Sequence, residues 1–142
     1  MYRSIDFESF IQAAGDAIVA VGSDGKISLW NPAAERIFGF TTTDAVGQSL
    51  DLIIPERFRE RHWEGFRQVM LSGQTRYGTD VLRVPALHKD GRPLSIAFTV
   101  ALLKSPDSQS FTIAAIVRDE SQRWNEEREL RRRLAELERP TS

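Results

Sequence analysis

The chain contains no cysteine. That excludes a disulfide scaffold, a cysteine-ligated zinc site, an iron–sulfur cluster, covalently attached c-type haem and any cysteine nucleophile. Histidine is scarce as well, with two in 142 residues, which argues against a zinc site in a chain without thiolates. Net charge is nearly absent: 19 Lys and Arg against 20 Asp and Glu leave −1, which argues against a nucleic-acid binder that works by neutralising phosphates. No apolar run approaches the roughly 20 residues of a membrane span, and Met1-Tyr2-Arg3-Ser4-Ile5-Asp6 has no secretory character, so a soluble, cytoplasmic protein is expected. Catalytic signatures are missing too. There is no Gly-x-Ser-x-Gly elbow, no lysine follows Gly39 to Gly47 as in a phosphate loop, and nothing spaces His62, His88 and the acids as a triad.

What remains is an ordinary globular composition, 41% apolar and 27% charged, in a length that suits one domain and an added helix. The charge is concentrated at the end, where Arg123 to Arg139 hold six Arg and five Glu. Residues 1–16 read as an N-terminal helical cap, 17–122 as the globular domain and 123–142 as a polar C-terminal helix and tail. Arg131-Arg132-Arg133 lie among glutamates and read as a solvated face rather than a site for DNA or anionic lipid.

The order of elements follows from periodicity. Asp6 to Ala14 has helical spacing with Asp6 or Ser4 as cap. Ala17–Val21 and Ile27–Trp30 flank a Ser23-Asp24-Gly25 turn and predict a hairpin. Asn31-Pro32 opens a helix that Gly39 stops, one-turn helices are expected at 43–46 and 49–53, and a longer helix runs from Pro55 to Leu71. Val81–Leu87, Leu94–Leu103 and Phe111–Arg118 alternate with period two, joined by Lys89-Asp90-Gly91 and Ser105-Pro106-Asp107-Ser108 turns. Pro85 cannot donate to a ladder, so its strand belongs at a sheet edge. Antiparallel strands with segregated helices make an α+β fold.

The series Ser23-Asp24-Gly25, Trp30-Asn31-Pro32-Ala33-Ala34-Glu35, Phe38-Gly39-Phe40, Val46-Gly47, Ile54-Pro55-Glu56-Arg57, Ser72-Gly73, Lys89-Asp90-Gly91 and Val117-Arg118-Asp119-Glu120-Ser121 resembles a PAS domain. The resemblance covers residues 7 to 122. It implies a five-stranded antiparallel sheet in the order 2-1-5-4-3, helices on one face, a cavity between them, and a sensory or interaction role rather than catalysis. It also implies a homodimer that passes its signal to a downstream effector domain or partner protein. Without cysteine, the cysteinyl-flavin and the photoactive yellow chemistries of the family are excluded. A haem b, a non-covalent flavin and an apolar small molecule stay open, as does a ligand-free dimerisation module.

On the long helix, Phe58, His62, Phe66 and Val69 fall within an arc of about 80°, with His62 central. A histidine so placed can ligate a haem iron or hydrogen-bond a carbonyl. The segment from Ile54 to His62 is similar to the one that bears the proximal histidine in rhizobial oxygen-sensing PAS kinases. The resemblance places Leu82, Ile96 and Phe98 on the opposing wall, with Arg59, Arg61 or Arg76 at the rim. It also puts Leu82 where those kinases carry a distal arginine, Arg83 facing away. Asp119 matches the family's signalling junction. Leu130, Leu134 and Leu137 are spaced four then three, as a dimer seam requires.

Overall fold

A computed structural model describes residues 4–75, 78–104 and 110–139. The expected turn at 105–108 and Arg76 lie outside these residues.

Asp6 caps helix α1 (Phe7–Ala13) by accepting the Ser9 N–H. Strands β1 (Ala17–Val21) and β2 (Ile27–Trp30) form the first hairpin. Helix α2 (Pro32–Phe38) follows, with proline in its first turn, where the missing N–H costs nothing. A short helix α3 (Thr42–Ala45), capped by Thr41, leads to a 3-10 turn (Leu50–Ile53). The long helix α4 (Glu56–Ser72) and strands β3 (Leu82–Leu87), β4 (Pro93–Lys104) and β5 (Phe111–Asp119) complete the domain before helix α5 (Ser121–Leu137).

All strand pairs are antiparallel, in the order β2-β1-β5-β4-β3. Pro85 sits on the edge strand β3, opposite Ser95, as its chemistry requires. Cross-strand pairing assigns the faces. Ala17 pairs with Val117, Val117 with Phe98, and Phe98 with Leu82, so these residues share the inner face. That face buries Ala17, Val19, Val21, Ile96 and Val117 in one core with Trp30, Ala33, Ala34, Phe38, Ala45, Ile53 and Ile54 from the helical side. On the outer face, Leu103 and Ile116 are exposed, while Ala97 is buried where the start of α5 meets β4.

Asn31 is the one fully buried polar side chain among the described residues, and it locks three elements together. Its Oδ1 accepts from the Ile18 and Ala34 N–H groups at 2.9 and 3.1 Å, and its Nδ2 donates to the Ile11 and Asp16 carbonyls at 2.9 and 3.1 Å. Every hydrogen-bonding position of the amide that matters in a dry core is thereby used. Arg118 on β5 reinforces the same corner through a two-pronged pair with Asp16, both bonds 3.0 Å.

His88 departs from its expected place. Beside the Lys89-Asp90-Gly91 turn it reads as exposed, yet its side chain is only 16% accessible. The Lys89 N–H donates to the Phe38 carbonyl at 2.8 Å and draws the β3–β4 hairpin against the end of α2. The imidazole then lies on Gly39, where a Cβ would come 2.6 Å from its Cε1. Gly39 also has φ +84°, so the position needs glycine for two separate reasons.

Candidate ligand site between the long helix and the sheet

Helix α4 is held mainly through its first half. The Arg59 side chain donates to the Ile54 carbonyl at 3.0 Å and to the Asp51 carbonyl at 3.3 Å. One turn on, the Trp63 indole N–H donates to Asp51 Oδ1 at 2.7 Å. The Trp63 ring also closes on Gly25 in the β1–β2 turn, where a Cβ would stand 3.1 Å from it. Trp63 therefore wedges α4 against both the first hairpin and the 3-10 turn.

His62 is half-buried beside this wedge. Its ring meets Trp63 edge-on, with centroids 4.6 Å apart, and lies 6.5 Å from Phe66. His62 Nδ1 is buried and has no hydrogen-bond partner among the described residues. Burial pushes the imidazole below its ordinary pKa of about 6.5, and the Asp51 carboxylate opposes part of that fall. A neutral ring with an unpaired nitrogen is a donor-set atom for a metal centre, or an acceptor for a ligand hydrogen. The described residues hold no cluster of three or more His, Asp or Glu that could bind a bare metal ion.

Phe58, Phe66 and Val69 are half-buried on α4 with His62, and Phe58 and Phe66 pack against the core. Across from the helices, Leu82 pairs with Phe98 and Val84 with Ile96, so all four share the inner face. Ile96 and Ala86 are buried while Val84 is 41% exposed, so on the inner face of β3 the helical layer leaves Val84 open but covers Ala86. Arg83 lies on the outer face, opposite Ala97. An open groove of about 380 Å³ runs beside Trp63, lined by Ser23–Lys26, Ser49, Trp63, Phe66 and Arg67. His62 does not line it.

The outgoing end of the domain is a network of its own. Asp119 accepts the Ser121 N–H at 2.9 Å. The Glu120 N–H donates to the Ser95 carbonyl at 2.8 Å, and the Ser95 N–H donates to Ser121 Oγ at 2.9 Å. The Glu120 carboxylate meets Arg83 at 3.3 Å and Arg123 at 3.8 Å. Beyond this joint Leu130, Leu134 and Leu137 are 58%, 57% and 82% exposed.

The PAS fold family model matches residues 5–120, nearly all of the five-stranded domain described above. The chain belongs to the PAS family. Among solved structures this PAS domain is similar to one from a Colwellia psychrerythraea protein, with TM-score 0.69, 22% identity, and 82% of this chain and 95% of that one covered. Among curated proteins it is 35% identical over 60 residues to the sensor protein FixL of Bradyrhizobium diazoefficiens, covering 42% of this chain and 12% of that protein. It is 28% identical over 103 residues to the oxygen sensor protein DosP of Escherichia coli, covering 72% of this chain and 13% of that protein. The chain thus spans about an eighth of the length of these two relatives.

Within this PAS domain the structure places Phe58, His62, Phe66 and Val69 on one side of α4, and Leu82, Ile96 and Phe98 on one sheet face. Arg59, one of the rim candidates, is committed to the turn before α4. Sequence reasoning takes Trp63 as a core or interface anchor but misses its Asp51 and Gly25 partners, and it misses Glu120 as the acid that meets Arg83.

Proposed function

We propose that this PAS domain is a sensor module that holds a cofactor or small apolar ligand between α4 and the β3–β4 wall. In this reading His62 is the polar anchor, and Phe58, Phe66, Val69, Leu82, Ile96 and Phe98 form the walls. The observation that carries it is the buried, unpaired Nδ1 of His62 on the same helix side as Phe58 and Phe66, which pack against the core. An unsatisfied polar atom in that position costs free energy that a bound partner recovers.

A haem b fits this donor set: the neutral imidazole of His62, beside the Trp63 and Phe66 rings, would hold its iron. Bound there, the iron would supply a binding position for a diatomic gas. Leu82 in place of the distal arginine favours carbon monoxide, nitric oxide or an apolar ligand over stabilised dioxygen. The relative that is an oxygen sensor protein supports a gas-linked role at the level of the family branch. A non-covalent flavin or an apolar metabolite is the alternative occupant.

The role is signalling rather than catalysis, with α5 carrying the state of the domain to a downstream effector or partner protein. Homodimerisation through α5 is supported by the three exposed leucines at seam spacing. Asp119, by bracing Ser121, holds the first turn of that helix. Among the described residues no helix is long and apolar enough to cross a membrane. The second reading, a ligand-free dimerisation module, draws on Phe38, which is fully buried and fills the centre of the core.

Hemin titration of the purified apoprotein tests the haem reading. A Soret band that saturates at one equivalent and disappears in His62→Ala supports it; identical spectra for both proteins overturn it. Native mass spectrometry of the protein as purified then separates another bound ligand from the ligand-free module.

A further inference from the structure

We infer that Glu120, clasped by Arg83, is the residue that couples the ligand wall to the outgoing helix. The inference rests on the proposed site between α4 and β3–β4, and names how that site is read out.

Strand β3 alternates between two tasks. Leu82 and Val84 face the inner side, where the ligand would lie, and Arg83 between them faces out. The Arg83 guanidinium reaches Glu120, the residue immediately before α5, with Nε 3.3 Å from Oε2. Glu120 is an unusual surface acid: its side chain is only 18% exposed, whereas Arg83 is 59% exposed. The same carboxylate faces Arg123 in the first turn of α5, so one acid is shared between the wall strand and the helix.

The joint is otherwise stiff. The Glu120 N–H and the Ser121 Oγ both bond the backbone of Ser95, which extends the β4–β5 ladder past the end of β5. Outward-facing Ser95 lies between the inward-facing Leu94 and Ile96, as Arg83 lies between Leu82 and Val84. A ligand that displaces the wall moves two neighbouring strands, of which β4 is bonded to residues 120 and 121 and β3 to residue 120. Of the two links, the β4 link, one main-chain bond and one to Ser121 Oγ, continues the ladder and moves with the sheet. The Arg83–Glu120 pair connects the edge strand, the one with the least main-chain restraint. Displacement of β3 is therefore transmitted to α5 through that pair.

Asp119 has a different part in this arrangement. Its carboxylate bonds the Ser121 N–H within its own turn and touches neither β3 nor β4 through the bonds described. It shapes the turn, while Glu120 carries the tie.

Amide hydrogen exchange of residues 121–125 in the full chain tests the clasp without any ligand. Arg83→Gln and Glu120→Gln should each speed exchange there about three- to fivefold, the scale of a partly exposed ion pair. The double variant should add nothing further, and β1 and β2 should be unaffected. Additive effects in the double variant, or unchanged exchange in both single variants, overturn the proposal. A second arm adds one equivalent of hemin to wild type and Arg83→Gln. A change at residues 121–125 in wild type that vanishes in Arg83→Gln supports the coupling, and an equal change in both overturns it. Absence of a Soret band in both proteins counts against the haem reading alone, and the ligand-free arm still decides the clasp.

Discussion

The indole N–H of Trp63 and the carboxylate of Asp51, 2.7 Å apart, join the middle of α4 to the turn that precedes it. This contact sets the position of His62, because the Trp63 ring it fixes stands edge-on to the imidazole. α4 has no fully buried residue, so its seat depends on such individual contacts more than on apolar burial.

Trp63→Phe should therefore cost about 1–2 kcal/mol in a urea melt, the value of a hydrogen bond to a charged group lost from a half-buried site. The phenyl ring lacks the outer indole atoms that meet Gly25, so lost packing at the first hairpin adds to that cost while the rest of the core is untouched. Asp51→Asn keeps an acceptor and should cost less. If hemin binds, Trp63→Phe should weaken binding more than Asp51→Asn does.

Stability should fall as the solution is acidified through the histidine range. Burial holds His62 below its ordinary value of about 6.5, so the unfolded chain takes up the proton first as pH drops. Folding stability is full above about pH 7 and declines from about pH 6.5 downward, levelling once the folded ring is protonated as well. Thermal melts between pH 7.5 and 5.0 measure the slope. His62→Gln should flatten it, and a slope that persists in that variant would belong to another group.

Gly39→Ala should destabilise by clearly more than the about 1 kcal/mol that a left-handed backbone costs a Cβ, because the new methyl also meets His88. Combining it with His88→Ala should restore the steric part and leave the backbone part. If the double variant is no more stable than the single one, the imidazole is not the obstacle.

A chain ending at Gln122 removes the exposed leucines of α5 and should shift the protein towards monomer in analytical ultracentrifugation. Two heptads of seam are marginal alone, so the shift should be concentration-dependent rather than complete. An unchanged oligomeric state would show that α5 is dispensable for assembly.

Much of this architecture is legible in the sequence because it is written in local chemistry. Pro85 announces an edge strand, Asn31-Pro32 a helix start, and the spacing of Phe58, His62, Phe66 and Val69 a single helix side. The 3-10 turn at Leu50–Ile53 and the two extra residues at the start of α5 are boundary effects, set by Ser49 and by the Ser95–Ser121 bond. Contacts chosen by strand register are another matter. Arg83 and Glu120 are 37 residues apart, and Trp63 and Asp51 are 12 apart across a turn. Nothing in the pattern of either segment says which acid will face which base. His88 is misread for the same reason: turn chemistry foretells exposure, and only the Lys89–Phe38 bond shows that another element lies on top.

The antiparallel pairing of Ala17 with Val117 has a mechanical consequence. The chain enters β1 and leaves β5 at the same end of adjacent strands, with the Asp16–Arg118 pair bridging the gap. Tension between the two flanking helices would load the β1–β5 ladder one rung at a time, from Asp16–Arg118 inward, like a zip rather than a shear joint. The domain should yield at low force along its own chain axis, and Arg118→Ala should lower that force further by removing the tab of the zip.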